Sequence, residues 1–328
     1  MVKHGQLTRL YRNFRASGYA ERLEVTYASG VNHPIATGPA LSLCWGASGS
    51  NFGDALSPLI VHLLSGRRLQ GKNNDASIAA PRLLALGSIL ERAVDHDVVW
   101  GSGARGESLT CSTLDVHAVR GPLTRAWLQE KGIKCPEVYG DPAILMPWLY
   151  RPEVNKDFDI GVIRHYTDRS STMSTDLSVN VIDVTDEPLK VINEICRCRT
   201  VFSSSLHGLV IAEAYGIPSC WLRPADELWV YPEPRMKYED YYLGSGRDPN
   251  PFEFDTMLDL AKASEFAAKT EKPDFQLQKL LGSFPCLRAG IRTLDDLERF
   301  RISAVDVNVS MTGFIGYVLT RIKKKLKQ

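Results

Sequence analysis

The chain has 328 residues, of which 44% are hydrophobic, and a formal net charge of +1. This length is enough for two domains of ordinary size, each with its own apolar core. The balanced charge argues against a protein that binds nucleic acid through a broad basic surface.

The seven cysteines are an odd number and are scattered along the chain. Their scatter, together with the absence of a signal peptide, predicts reduced thiols and a cytoplasmic location. The one close pair, Cys196 and Cys198, lacks the spacing of a zinc or redox site, so we expect no metal site.

Short apolar runs alternate with helical patterns in the first half of the chain, which favours a parallel α/β architecture. A glycine-rich turn, WGASGSNFGDALSP, follows the first predicted strand, and its glycines suit either close contact with a ligand or simple turn geometry. Asn51 and Asp54 are candidate substrate contacts there, and Asp54 is the predicted N-cap of the next helix. Strands are predicted at Leu41–Trp45, Leu83–Leu86, Val98–Trp100, Val116–Val119 and Glu137–Tyr139, and helices at 55–64 and 122–132.

The segment GSGARG, residues 101–106, has the spacing of a dinucleotide-binding loop. That interpretation requires a long helix next and an acidic residue about twenty positions further on. Neither follows here, so we expect instead a glycine-rich loop that faces the ligand cleft. Gly103 and Arg105 are its candidate substrate contacts.

Arg120 lies between a predicted strand and the helix that begins at Pro122. Ligands of open α/β sheets bind beyond the carboxyl ends of the strands. A guanidinium at that edge can hold a carboxylate or a phosphate through two parallel hydrogen bonds. Arg120 is therefore the first candidate for binding an anionic substrate, and a surface ion pair is the alternative.

Residues 146–157 contain two prolines and several polar side chains, which predicts an interdomain linker. A second α/β series follows, and Arg164 with His165 ends its first strand, facing the same crevice. The region beyond Gly244 has mostly helical patterns. Strands are predicted at Phe158–Ile163, Val179–Val184, Val201–Phe202 and Ser219–Leu222, and helices at 189–197 and 206–215.

The predicted organisation is an N-terminal Rossmann-like domain on the acceptor side (1–150), a C-terminal Rossmann-like domain (151–290), and C-terminal helices with a basic tail (291–328). Two doubly wound domains imply a cleft between them, where ligands bind. In the tail, apolar residues from Phe314 to Leu326 recur at helical spacing among lysines. This pattern suits either a helix packed on the body or a basic amphipathic helix resting on an anionic membrane.

The segment TVFSSSLHGLVIAEAYGIPSCWL, residues 200–222, is typical of strand, polar loop, buried helix and strand. The loop places Ser203, Ser204, Ser205 and His207 at a helix N-terminus, where free N–H groups and the helix dipole favour anions. A histidine there can exchange a proton near neutral pH. The serines are candidate substrate contacts, although at least one of them suits a simple helix cap.

The segment KYEDYYL, residues 237–243, mixes aromatic and charged side chains. Such a mixture suits stacking on a sugar and binding of its hydroxyls, and equally an ordinary half-exposed loop. Lys237 is the candidate substrate contact from this segment.

From about Trp45 to about Leu243, the chain resembles the polysaccharide pyruvyl transferases, and in particular the branch that forms pyruvyl ketals on exopolysaccharides. The order and spacing of several short motifs together carry this resemblance. They are NFGDALSP (51–58), GSIL (87–90), VWGSGA (99–104), VRGPLTRAWL (119–128), YGDPAILMP (139–147), IRHYTD (163–168) and SSSLHGLVIAEAYGIP (203–218).

The resemblance implies two Rossmann-like domains facing across a cleft, as in glycosyltransferases of the B type. It also implies a transfer of pyruvate from phosphoenolpyruvate to two hydroxyls of one sugar, with release of phosphate. The acceptor would be a surface polysaccharide or its lipid-linked precursor. Phosphoenolpyruvate would be a co-substrate, and no cofactor or nucleic acid is expected.

In this interpretation His207 is the general acid, and Arg120 holds the donor's anionic groups, with Arg164 as second choice. Many members of the family have an arginine directly before Leu-His-Gly, where this chain has Ser205. Part of the positive charge must therefore come from elsewhere, and Arg82 and Arg105 are further candidates.

Two other functions remain open from the sequence. A glycosyltransferase that uses a nucleotide sugar would have the same architecture and differ only in its donor. A non-enzymatic assembly factor for polysaccharide synthesis, tethered to the membrane by Arg321–Gln328, would not need His207.

Overall fold

A computed structural model of the chain describes residues 39–46, 51–67, 69–70, 81–165, 178–224, 235–254 and 259–302. Within these residues, no helix combines the length and the apolar character that crossing a bilayer requires. Three predicted features lie outside the described residues. They are the amphipathic helix of the tail, residues 47–50 of the glycine-rich turn, and residues 166–168 at the end of the IRHYTD motif.

The first half of the described chain forms a parallel sheet, as the apolar runs predicted. Its strands lie in the order β2-β1-β3-β4-β5, and every pairing is parallel. The segment Glu137–Tyr139, predicted as a strand, contributes only a single bridge between Val119 and Tyr139. The elements are β1 (Leu41–Cys44), α1 (Phe52–Ser65), β2 (Leu69–Gln70), β3 (Leu83–Leu84), β4 (Asp97–Trp100), β5 (Leu114–Ala118) and α2 (Pro122–Glu130).

Residues 146–157 were predicted to form a linker, but the first residues of this segment are helical and mostly buried. A 3-10 helix, Pro142–Leu145, continues directly into the short helix α3, Met146–Leu149. Tyr150 then pairs with Ile302 in a parallel bridge and is buried. The apolar side chains of Met146, Leu149 and Tyr150 therefore place the beginning of the predicted linker in the core, although the linker contains two prolines.

The second half forms another parallel sheet, in the order β10-β9-β8-β6-β7. Strand β10 lies in the region predicted to be mostly helical, where it extends the sheet beyond β9. The elements are β6 (Phe158–Ile163), β7 (Val179–Ile182), α4 (Pro188–Cys196), β8 (Cys198–Ser203), α5 (Leu206–Ala214), β9 (Ser219–Pro224), α6 (Met236–Gly244), β10 (Phe252–Phe254), α7 (Leu260–Ala268), α8 (Leu277–Gly282) and α9 (Leu294–Leu297).

Both sheets have the same doubly wound strand order. Numbered within its own half, each sheet runs 2-1-3-4-5, so the direction of winding reverses between its first and third strands. The reversal points are the gap between β1 and β3 and the gap between β6 and β8. Ligands of such folds bind beyond the carboxyl ends of the strands at these points, so the topology alone indicates where a site should lie.

The two sheets pack against each other through the helices that follow these strands. Leu56 of α1, Ile192 of α4 and Leu209 of α5 belong to one buried apolar cluster. The backbone N–H of Phe52 donates to the carbonyl of Val184 at 2.8 Å, which ties the start of α1 to the second half. The start of α1 and the start of α5 are consequently held next to each other.

Candidate active site

The N-termini of α1 and α5 meet at His207. Gly53, the second residue of α1, lies so close to the imidazole that a Cβ atom at that position would overlap Nδ1. Asn51 is the N-cap of α1 and accepts a hydrogen bond from the Gly53 N–H at 3.0 Å. The prediction that Asp54 caps this helix is wrong, because the helix begins one turn earlier and Asp54 lies in its first turn.

An open pocket of about 140 Å³ lies at this junction, beyond the carboxyl ends of β1, β3, β6 and β8. It brings together seven residues that were candidates from the sequence and that come from five separate segments. These are Asn51, Asp54, Arg105, His165, Ser205, His207 and Lys237, and the lining is completed by Gly46, Ser88, Ile89, Arg92 and Leu206.

The three serines of the 203–205 loop have different roles. The Ser203 hydroxyl donates to the carbonyl of Ser205 at 2.8 Å and accepts from the Ser205 N–H at 3.0 Å, so it shapes the turn. The Ser204 hydroxyl accepts from the backbone N–H of His165 at 3.0 Å and joins the two loops. Ser205 occupies the N-cap position of α5 without a side-chain capping bond, and it lines the pocket.

His207 is 5% exposed, and its two ring nitrogens face different surroundings. Nδ1 lies beside Gly53, whereas Nε2 lies 3.5 Å from Oδ2 of Asp141. Asp141 is fully buried in the YGDP segment. That segment is one of the motifs that carry the family resemblance, but its aspartate was not among the candidate site residues.

Two arginines, Arg92 and Arg105, line the pocket and form its cationic wall. Arg105 is positioned by Glu91, whose carboxylate accepts from the backbone N–H groups of Arg105 at 2.6 Å and Gly106 at 3.2 Å. Its guanidinium also contacts the exposed carboxylate of Glu107 at 3.1 Å. Arg92, which the sequence analysis did not select, lines the same wall. No local signal distinguishes Arg92 from an ordinary exposed arginine.

Arg120 lies behind the pocket rather than in it. It is 1% exposed, donates to the Ser88 hydroxyl at 2.6 Å and to the Ala104 carbonyl at 3.0 Å, and lies 3.3 Å from the carboxylate of Asp240. The expectation that its guanidinium points into the crevice therefore differs from its placement, because Asp240 on α6 draws it inward. Its link to the pocket is Ser88, which lines the pocket wall.

Three other residues that were candidates from the sequence, Gly103, Arg164 and Arg82, lie outside the pocket lining. Gly103 packs on the Arg120 guanidinium, and a Cβ atom there would overlap it. Arg164 precedes His165 but is not among the lining residues. Arg82 is buried in an ion pair with Asp97 at 2.6 Å, which commits its charge to the fold.

Within the described residues, no group of three histidine, cysteine or acidic side chains is placed to hold a metal ion. Cysteine binds metals as the thiolate. Burial raises the pKa of the Cys196 thiol to about 12 and that of Cys198 to about 11. These two thiols therefore stay protonated at neutral pH, which disfavours both metal binding and nucleophilic chemistry.

Comparison with known proteins agrees with the resemblance found in the sequence. Residues 98–226 match the polysaccharide pyruvyl transferase family. An uncharacterized protein of Acanthamoeba polyphaga mimivirus is 30% identical over 172 residues, which are 49% of this chain and 59% of that protein. The succinoglycan biosynthesis protein ExoV of Rhizobium meliloti is 28% identical over 191 residues, 53% of this chain and 56% of that protein.

The chain spans less than two thirds of the length of these two curated relatives. Among solved structures, a functionally uncharacterized protein of Klebsiella pneumoniae is similar with a TM-score of 0.41 and 13% identity, over 66% of this chain and 92% of that one. The family match includes Arg105, Asp141, His165 and the loop that carries His207. Over residues 98–226 the chain is thus similar to the polysaccharide pyruvyl transferase family, as its motifs indicated.

Proposed function

We propose that this protein is an enzyme that transfers pyruvate from phosphoenolpyruvate to two hydroxyls of one sugar. The product is a cyclic pyruvyl ketal on a surface polysaccharide or on its lipid-linked precursor, and phosphate is released. The family match and the relative named for succinoglycan biosynthesis support the class of reaction. The observation that carries the proposal is a pocket that combines His207 with several cationic side chains.

The charge of the pocket suits a small trianionic donor. Among its described lining residues, Arg92, Arg105 and Lys237 are cationic at neutral pH, and Asp54 is the one carboxylate. The N-termini of α1 and α5 also point toward this space with their positive dipole ends. We assign the donor's phosphate and carboxylate to this set, which supplies the positive charge that Ser205 does not.

His207 is the proposed general acid. It protonates the methylene carbon of phosphoenolpyruvate, which makes the neighbouring carbon C2 electrophilic, and a first sugar hydroxyl then bonds to C2 and returns its proton to His207. The second hydroxyl bonds to C2 as the bond between C2 and the phosphate oxygen breaks. Its proton leaves with the phosphate, so one donor and one diol give one ketal and one phosphate.

Arg120 contributes to the proposed site without touching the donor. Its hydrogen bond to Ser88 holds the loop after β3, and its contact with Ala104 holds the loop after β4. These loops carry Arg92 and Arg105, respectively. Arg120 is thus a positioning residue for the cationic wall.

The proposal extends to the arrangement of the whole protein. We propose two Rossmann-like domains of the glycosyltransferase-B type, at 1–150 and 151–290, with the acceptor bound on the N-terminal side. We also propose a cytoplasmic protein whose C-terminal residues 291–328 include a basic tail in contact with the inner face of the membrane. The matching strand orders of the two sheets support the paired domains.

The direct test is release of phosphate from phosphoenolpyruvate in the presence of a panel of lipid-linked oligosaccharides, with mass spectrometry of the acceptor. We expect phosphate release to depend on the acceptor and a mass gain that corresponds to one ketal. A parallel arm offers nucleotide sugars. Glycosyl transfer in that arm without ketal formation would establish the glycosyltransferase alternative and overturn the proposal.

Neutralising the cationic wall should weaken donor binding. For Arg92→Gln and Arg105→Gln, we expect the Kd of phosphoenolpyruvate to rise about ten- to a hundredfold each, because a hydrogen bond to a charged group contributes about 1.5–3 kcal/mol. Isothermal titration calorimetry measures this. The matched control is Arg299→Gln, an exposed arginine paired with Asp296 outside the pocket lining. Equal affinities for all three variants would contradict the assignment.

A further inference from the structure

Asp141 and His207 face each other as a buried pair. Asp141 is 0% exposed and His207 is 5% exposed. Oδ2 of Asp141 and Nε2 of His207 are 3.5 Å apart, and neither of these buried atoms has a hydrogen-bond partner among the residues that the structure describes. Unpaired polar atoms are costly in a protein interior, so two such atoms aimed at each other call for an explanation.

The backbone around Asp141 fixes the direction of its carboxylate. Gly140 has a φ of 144°, a conformation available to glycine, and it turns the chain out of the bridge at Tyr139. Asp141 then caps the 3-10 helix, and its Oδ1 accepts from the Ala143 N–H at 2.9 Å. That helix packs against both α1 and α5. With Oδ1 engaged in the cap, Oδ2 remains directed at His207.

The role of helix cap explains only one of the two carboxylate oxygens. Asp259 caps α7 with its Oδ1, which accepts from two backbone N–H groups at 3.1 Å, and among the described residues its carboxylate pairs with Lys262 instead of a histidine. It is also an exposed residue, whereas Asp141 is fully buried. A capping aspartate therefore needs neither burial nor a facing imidazole, and both features of Asp141 point to its partner.

We propose that Asp141 is a positioning residue that holds the Nε2 proton of His207 and leaves Nδ1 as the atom that exchanges a proton with substrate. An aspartate hydrogen-bonded to one ring nitrogen selects the tautomer and stabilises the imidazolium. Nδ1 lies beside Gly53, and the residues on either side of this contact in α1, Asn51 and Asp54, line the pocket together with His207. A separation of 3.5 Å is consistent with a bond that shortens in the substrate complex.

The catalytic part of this inference rests on the proposed function, but the tautomer does not, so the two can fail separately. The first measurement is the ¹⁵N spectrum of the ring nitrogens in histidine-labelled wild-type protein without substrate. His207→Gln identifies the signals of His207. We expect the neutral ring to carry its proton on Nε2. A neutral ring protonated on Nδ1 would overturn the proposal without any further variant.

The second measurement uses Asp141→Asn. Asparagine is as good a helix cap as aspartate, so the 3-10 helix is preserved. Its amide can present an N–H to Nε2, which favours the wrong tautomer. We expect the Nε2–H signal to be lost or mixed and kcat to fall about 10²-fold or more, with little change in KM, because Asp141 does not touch substrate.

Asp259→Asn is the matched control, since it changes a capping aspartate whose ion-pair partner in the described part of the chain is Lys262. It should leave the His207 signals and kcat unchanged. If Asp141→Asn folds normally and also leaves both unchanged, Asp141 has no positioning role. If wild-type protein releases no phosphate at all, the proposed function fails while the spectra still decide the tautomer.

Discussion

Replacing His207 by glutamine should lower the rate of ketal formation about 10²–10⁴-fold, because general acid catalysis typically contributes that much. Glutamine fills most of the space of the imidazole and can donate to Asp141, so the buried carboxylate keeps a partner. It cannot release a proton near neutral pH. The loss should therefore appear in kcat and leave the unfolding midpoint nearly unchanged. Initial rates of phosphate release and the urea midpoint measure the two quantities.

His117→Gln is the control for this variant. His117 also lies next to an aspartate, with Nε2 3.1 Å from Asp115, but on the partly exposed face of β5 and outside the pocket lining. It should retain wild-type turnover. If His207→Gln kept near-wild-type ketal formation, His207 would not be the general acid. If neither the wild-type protein nor any variant formed a ketal, the non-enzymatic alternative would gain support.

The second large effect is expected at Gly121, where α2 approaches α6. A Cβ atom on Gly121 would overlap the backbone carbonyl oxygen of Asp240, and one on Gly244 would overlap the carbonyl of Arg120. The carboxylate of Asp240 accepts from the backbone N–H of Thr124 at 3.0 Å and from its hydroxyl at 2.6 Å. These contacts form a joint between α2 and α6. The joint depends on a close approach of the two backbones that a methyl group would prevent.

For Gly121→Ala we expect a loss of about 3 kcal/mol in the free energy of unfolding, since overpacking against rigid backbone is costly. The joint also holds Arg120 next to Asp240, so affinity for phosphoenolpyruvate should fall as well. Urea denaturation and calorimetry measure the two effects. An unchanged unfolding midpoint would contradict the close packing at this joint.

Gly282→Ala is the matched control, because a Cβ atom there meets nothing within 4 Å at the end of α8. Alanine also restricts the unfolded chain more than glycine does. We expect this variant to be neutral or more stable by about 0.4–1 kcal/mol. Destabilisation equal to that of Gly121→Ala would mean that the glycine itself, rather than the close contact, matters.

Most strands of both sheets could be predicted because buried parallel strands are continuous apolar runs, a property of the local sequence. The predicted strands Leu83–Leu86 and Val98–Trp100, which correspond to β3 and β4, are examples. The segment Glu137–Tyr139 has similar local character but contributes only one bridge. Whether such a segment pairs over several residues or over one depends on its neighbours in the folded sheet, which the local sequence does not specify.

The candidate site was also predictable in part, because polar residues directly after buried strands must lie at the carboxyl edge of the sheet. Asn51, His165, Ser205 and His207 were candidates in segments that follow predicted strands, and the structure places all four around one pocket. The same rule placed Arg120 in the crevice, where its pairing with Asp240 on a distant helix prevails.

The sequence by itself therefore determined the parallel α/β class, the resemblance of the 98–226 region to the polysaccharide pyruvyl transferases and the helix N-terminus that carries His207. Only the tertiary structure decided which cations face the pocket and which aspartate faces the histidine. Arg92 and Asp141 have no local signature, because their roles arise from contacts with residues far away in the chain. Periodicity and turn chemistry act over a few residues, whereas these contacts are set when the two sheets pack together.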